Sequence, residues 1–210
     1  MPLSHANEVW IWDLDGTLID SYQVITESLV RVTETLGHPV PFEDILREIK
    51  QASLDVFVSH WTERFPGDRE SFYALYRQYT HGLDDAIPLI PGAAETLRGL
   101  REAGARHFVY THRGDSSFSI LERNGILPLF DEVVTSLAGF PRKPAPDGVL
   151  YLLDKYKTDP QRTFYVGDRE LDVGCAVAAG VRAVLYLEEG SFVRPTGAEY
   201  QIVSRLTDLL

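Results

Sequence analysis

The feature that most constrains the fold of this chain is an alternation of strand-like and helix-like stretches. Apolar, strand-like runs recur near residues 106–112, 131–136, 163–168 and 182–187, with helix-like stretches of ordinary length between them. A further run lies near residues 8–14. Pro91 to Gly104 starts with proline and stops at glycine, as a helix does. Asp115 or Ser116 is placed to cap a helix running through Asn124 and Gly125. Asp147 is placed to cap one that ends near Lys157, and Leu171 to Gly180 forms another. Strand, helix, strand, helix predicts an α/β fold: a Rossmann-like parallel sheet flanked by helices on both faces. In such sheets ligands bind beyond the carboxyl ends of the strands. Asp13, Thr111 and Asp168 fall at those ends.

From about Ser21 to Pro88 the alternation stops. Helical periodicity replaces it in Val24-Ile25-Ser28-Leu29-Val32-Leu36, in Ile45-Ile49, in Leu54-Phe57-Val58-Trp61 and in Phe72-Leu75-Tyr76-Tyr79. Pro39, Pro41, Pro66 and Gly67 punctuate it. The expected organisation is a core of residues 1–20 and 87–210 with a helical insertion at 21–86. Hinges are expected near 19–21 and 86–91. Trp61, Phe65, Phe72, Tyr73, Tyr76 and Tyr79 read as the core of the insertion.

Val9 to Trp12 reads as a buried strand that delivers Asp13 and Asp15 to its end, followed at once by Gly16 and Thr17. Paired carboxylates there are unfavourable unless a cation or a shared proton offsets them. Carboxylate oxygens suit Mg²⁺. An Asp-rich turn that merely ends the strand is the alternative, since Asp and Gly are turn residues. Three later segments argue for chemistry. A second strand-like run ends in Thr111, followed by His112 and Arg113. Lys143 stands in a proline-stiffened loop before a helix. A third run ends in Gly167-Asp168, with Asp172 one helical turn on.

Composition narrows the classes. The formal net charge is −11, against nucleic-acid binding, and a phosphate site would need local cations such as Lys143, Arg113 and Mg²⁺. Apolar runs are too short for a membrane span. The first eight residues lack a basic stretch followed by an apolar core, so no secretory signal is expected. Cys175 is the single cysteine; no intrachain disulfide can form, which suits the cytoplasm. The expected thiol is buried and inert.

These segments resemble the haloacid dehalogenase superfamily phosphohydrolases. Asp13-Leu14-Asp15-Gly16-Thr17, Thr111, Lys143 and Gly167-Asp168 with Asp172 match the family's motifs in order, over most of the chain. The resemblance is to the phosphoglycolate phosphatase-like branch, with a helical cap of the C1 type. It implies a Mg²⁺-dependent phosphatase acting on a small phosphorylated metabolite through an aspartyl-phosphate. Asp13 would be the nucleophile and Asp15 the general acid and base. Thr111 and Lys143 would hold and neutralise the phosphoryl group. Asp13, the backbone carbonyl of Asp15, and Asp168 would bind Mg²⁺. Asp172 would act through water or beside the ligands. Gly16, Thr17, His112, Arg113 and, from the cap, Lys50 are further substrate-binding candidates. His112 and Arg113 depart from the small polar residue, often Asn, that usually follows the hydroxyl. A sugar phosphomutase uses the same residues and is the rival reading. Dehalogenase and phosphonate-cleaving chemistries fit less well, because Asp15 is present. A non-catalytic binding protein is disfavoured by the full set of catalytic residues. The oligomeric state is left open.

Overall fold

The computed structural model describes residues 5–196 and 200–210. Residues 1–4, where the expectation about a secretory signal begins, lie outside that range. The elements in chain order are β1 (Val9–Trp12), α1 (Tyr22–Thr35), α2 (Phe42–Gln51), α3 (Leu54–Arg64), α4 (Arg69–Thr80), α5 (Ala93–Glu102) and β2 (Arg106–Tyr110). They continue with α6 (Ser116–Arg123), β3 (Glu132–Val134), α7 (Asp147–Tyr156), β4 (Thr163–Gly167), α8 (Glu170–Ala179), β5 (Arg182–Tyr186) and β6 (Tyr200–Val203). The chain divides into two compact units, residues 1–20 with 88–210, and residues 21–87.

The first unit is built on a parallel sheet in the order β3-β2-β1-β4-β5-β6. β1 is central and wholly buried, which explains its unbroken run of apolar residues. Register then determines where the chemistry falls. Trp12 lies opposite Val109 on one side and Val166 on the other. Asp13, Thr111 and Asp168 therefore leave the sheet at the same edge. Two further ladder bonds pin the exits: Asp13 N–H donates to Val166 O at 2.8 Å and Thr111 N–H to Val134 O at 3.0 Å.

Side chains alternate between the faces of the sheet. On one face Val9, Ile11, Phe108, Tyr110, Tyr165 and Leu185 pack with Val149 and Leu152 of α7 and with Cys175 and Ala176 of α8. The other face carries Trp10, stacked on Phe164 with ring centroids 4.4 Å apart, and Trp12. Trp12 Nε1 donates to His107 Nδ1 at 3.1 Å, and His107 Nε2 donates to Leu97 O of α5 at 3.0 Å. Burial pushes the His107 imidazole down to about 4.

The helical unit has its own core of Leu29, Val32, Ile45, Ile49, Phe57, Val58, Trp61 and Phe72. Phe65, Tyr73, Tyr76 and Tyr79 pack against the same cluster. Ser53 Oγ accepts from Val56 N–H at 3.2 Å and Asp68 from Ser71 N–H at 2.8 Å, so α3 and α4 start at capped turns. Lys50, at the end of α2, is largely buried, and its ammonium lies 4.7 Å from the centroid of the Tyr22 ring.

One local difference from the sequence reading has a plain cause. β6 was not anticipated: of its four residues only Val203 is buried, so it carries no apolar run. The tail ends in a short 3-10 helix at Leu206–Leu209.

Candidate active site

The site begins with a tight turn after β1. Leu14 O accepts N–H bonds from Leu18 and Ile19, both at 3.0 Å, and Gly16 N–H donates to Ile19 O at 2.9 Å. Gly16 holds φ at +78°, a conformation that a side chain disfavours. Thr17 is buried behind the turn, with Oγ1 3.4 Å from Asp168 Oδ1.

Lys143 is the hub. Its ammonium is fully buried and lies 2.9 Å from Asp13 Oδ1 and 2.6 Å from Asp172 Oδ1. It also donates to Tyr165 OH at 3.0 Å. Tyr165 OH in turn donates to Tyr110 O at 3.1 Å, which locks the acceptor in place. Burial alone would lower the Lys143 pKa, but Asp13 and Asp172 outweigh it and hold the ammonium charged. Burial raises the Asp13 carboxyl, and Lys143 and Arg169 only partly offset that. Three buried acids, Asp13, Asp168 and Asp172, here share the two cations Lys143 and Arg169.

Asp13, Asp168 and Asp172 present carboxylate oxygens within 4.8 Å of one another, all from buried residues. Hard oxygen donors in a charge-deficient pocket fit Mg²⁺. Asp172 is engaged at both oxygens: Oδ1 meets Lys143, and Oδ2 accepts from Arg169 N–H at 3.2 Å. That arrangement anchors both Lys143 and the start of α8. Gly167 makes it sterically feasible, because a Cβ there would fall 2.6 Å from Asp172 Oδ2 and nearer still to its Cβ and Cγ.

The segment after β2 bridges the other candidates. Thr111 Oγ1 accepts from Arg113 N–H at 3.0 Å, which leaves its O–H hydrogen to donate. His112 Nε2 accepts from the backbone N–H of Lys143 at 2.9 Å, and burial holds its imidazole down at about 3. A neutral ring is what an acceptor role requires. Arg113 grips Asp15: Nη2 lies 2.7 Å and Nε 3.0 Å from Oδ1.

The structure thus brings Asp13, Lys143, Asp168 and Asp172 into one cluster, with Thr17 beside it, and sets Asp15 against Arg113. Lys50 belongs to the helical unit. Two participants were not assigned roles from sequence. Tyr165 lies in β4, where an apolar strand pattern hides its hydroxyl. Arg169 follows Asp168 directly, and its guanidinium reaches Asp13 Oδ2 at 3.4 Å and Asp168 Oδ1 at 3.8 Å. An arginine between two acids of a strand-end motif was the available signal.

A parallel sheet whose central strand ends on a buried aspartate, paired to a buried lysine and a second acidic strand end, defines a class. The family described as haloacid dehalogenase-like hydrolase matches residues 10–186, and the chain belongs to that family. Among its relatives, the phosphoglycolate phosphatase of Vibrio parahaemolyticus is 31% identical over 184 residues, 80% of this chain and 78% of that protein. The pyrophosphatase PpaX of Bacillus pumilus is 29% identical over 178 residues, 82% of this chain and 79% of the other. A solved hydrolase of Streptococcus pneumoniae shares 32% identity at a TM-score of 0.63, covering 86% of this chain and 93% of that one. No helix among the described residues is long and apolar enough to cross a membrane.

Proposed function

We propose that this chain is a Mg²⁺-dependent phosphatase that hydrolyses a small phosphorylated metabolite through an aspartyl-phosphate. The observation that carries the reading is Asp13, buried at the end of the central strand with one oxygen 2.9 Å from a buried ammonium. Asp13 attacks phosphorus as the ester P–O bond breaks, and the electron pair leaves on the alcohol oxygen. Asp15 enters this half protonated and gives that oxygen its proton. It then takes a proton from water, whose oxygen attacks phosphorus. The bond to Asp13 breaks, phosphate leaves, and Asp15 is protonated again. Lys143 balances the charge on Asp13 and the phosphoryl group, and the Thr111 hydroxyl donates to a phosphoryl oxygen. Asp13, Asp168 and the backbone carbonyl of Asp15 would hold Mg²⁺, which when bound adds positive charge against the phosphoryl oxygens.

The relatives' names, a phosphoglycolate phosphatase and a pyrophosphatase, support a small phosphorylated substrate. The net charge of −11 argues against nucleic acid. We assign the helical unit the part of a substrate-selecting cap, by its likeness to C1 caps. The free thiol of Cys175 suits a reducing compartment such as the cytoplasm.

The test is release of inorganic phosphate from a panel of small phosphate esters, with Mg²⁺ or EDTA, for wild type and Asp13→Asn. Mg²⁺-dependent release that vanishes in the variant supports the reading. Isomerisation of a sugar phosphate without net release of phosphate favours a phosphomutase, and neither activity removes both.

A further inference from the structure

Arg113 has no task in the mechanism above, yet it makes a multiple hydrogen-bonded contact with the proposed acid and base. Its guanidinium donates to Asp15 Oδ1 from Nη2 at 2.7 Å and from Nε at 3.0 Å, and Nε also reaches Oδ2 at 3.3 Å. Nη1 reaches Ser116 Oγ of α6 at 3.3 Å. The backbone on either side of that side chain is tied down as well: Arg113 N–H donates to Thr111 Oγ1, and Arg113 O accepts from Ser136 N–H at 3.0 Å. The two side chains are only 13% and 20% exposed. The contact spans 98 positions of sequence and joins the loop after β1 to the loop after β2.

An aspartate has two side-chain torsions, and the second is broad, so an unbraced carboxyl samples a wide range of directions. Two donors of a planar guanidinium converging on Oδ1, with Nε shared with Oδ2, restrict that freedom, whereas an ammonium is a point charge that does not. We infer that Arg113 is a positioning residue that holds the Asp15 carboxyl in one orientation for proton transfer to the leaving group. The inference rests on the reading of Asp15 as general acid.

Its signature is a dependence on the leaving group. An alkoxide leaves only with a proton, whereas p-nitrophenolate is stable without one. The parameter kcat/KM reports the step up to ester cleavage and is blind to the later hydrolysis of the aspartyl-phosphate. The experiment measures kcat/KM for glycerol 2-phosphate and p-nitrophenyl phosphate in wild type, Arg113→Ala, Arg113→Lys and Asp15→Asn.

Arg113→Ala is expected to lose about 10²-fold on the alkyl ester, the scale of one positioned proton transfer, and less than about 5-fold on the aryl ester. Arg113→Lys should fall between wild type and Arg113→Ala, because it keeps the charge without the fork. Added guanidinium, against NaCl at equal ionic strength, should restore part of the alkyl activity of Arg113→Ala. Should Arg113→Ala not fold, Arg113→Lys carries the same two-ester comparison. Equal losses on both esters in the Arg113 variants, with a clear ester contrast in Asp15→Asn, overturn this inference alone. No ester contrast in Asp15→Asn overturns the acid role of Asp15, and the positioning role with it.

Discussion

Gly167→Ala is the smallest change that should disable the Lys143 hub. Ordinary van der Waals contact starts near 3.4 Å, and a methyl at position 167 would lie 2.6 Å from Asp172 Oδ2 and closer to the carbons behind it. Asp172 must therefore move by about 1 Å or more, on the scale at which tightly packed interiors respond to an added methyl group. Its 2.6 Å bond to the fully buried Lys143 ammonium cannot survive that shift. Overpacking costs about 1–3 kcal/mol. Stripping a buried charge of its partner costs about 3–5 kcal/mol, of which only a part applies because Asp13 and Tyr165 remain. The expected loss is about 3 kcal/mol in urea unfolding, with phosphate release falling in parallel. In an Asp172→Gly background, which removes the clashing atoms, adding Gly167→Ala should cost under about 1 kcal/mol. A single variant within about 0.5 kcal/mol of wild type would refute the argument, as would an undiminished cost in the Asp172→Gly background.

Other outcomes follow from the same geometry. His107 is held neutral near 4 in the folded protein and titrates near 6.5 when free. The unfolded chain binds its proton first, so this contribution is full above about pH 6.5 and is lost as pH falls toward 4. It amounts to about 3 kcal/mol from a gap of about 2.5 pKa units. Urea midpoints between pH 4 and 7 should show a steeper decline in wild type than in His107→Gln; equal slopes would count against it. Arg169→Met removes a cation that faces Asp13 and Asp168, so Mg²⁺ should bind about 5-fold tighter by calorimetry, the scale of one partly exposed ion pair. Unchanged or weaker binding would show that Arg169 does not compete with the metal.

Local pattern carried much of this protein. The apolar run Val9–Trp12 read as a buried strand, and the alternation after Pro91 pointed to parallel pairing, since a helix separates β2 from β3, β3 from β4 and β4 from β5. The acids stood out because charge is rare at the end of an apolar run, and Lys143 because it stands in a proline-stiffened loop before a helix. β6 stayed hidden because an edge strand with exposed Gln201 and Ile202 has no apolar period to detect. Tyr165 was silent for the opposite reason: its ring satisfies the core while its hydroxyl serves Lys143.

Sequence by itself determined the fold class, the helical nature of residues 21–86 and the identity of the charged groups at the strand ends, because periodicity and residue chemistry are local properties. Tertiary structure alone decided how those groups are shared. It gave Lys143 jointly to Asp13 and Asp172 across separations of 130 and 29 residues, aimed Arg113 at Asp15, and set the His112 ring under the Lys143 backbone. Such pairings depend on sheet register and on loop paths that converge only after folding, and no spacing along the chain encodes them.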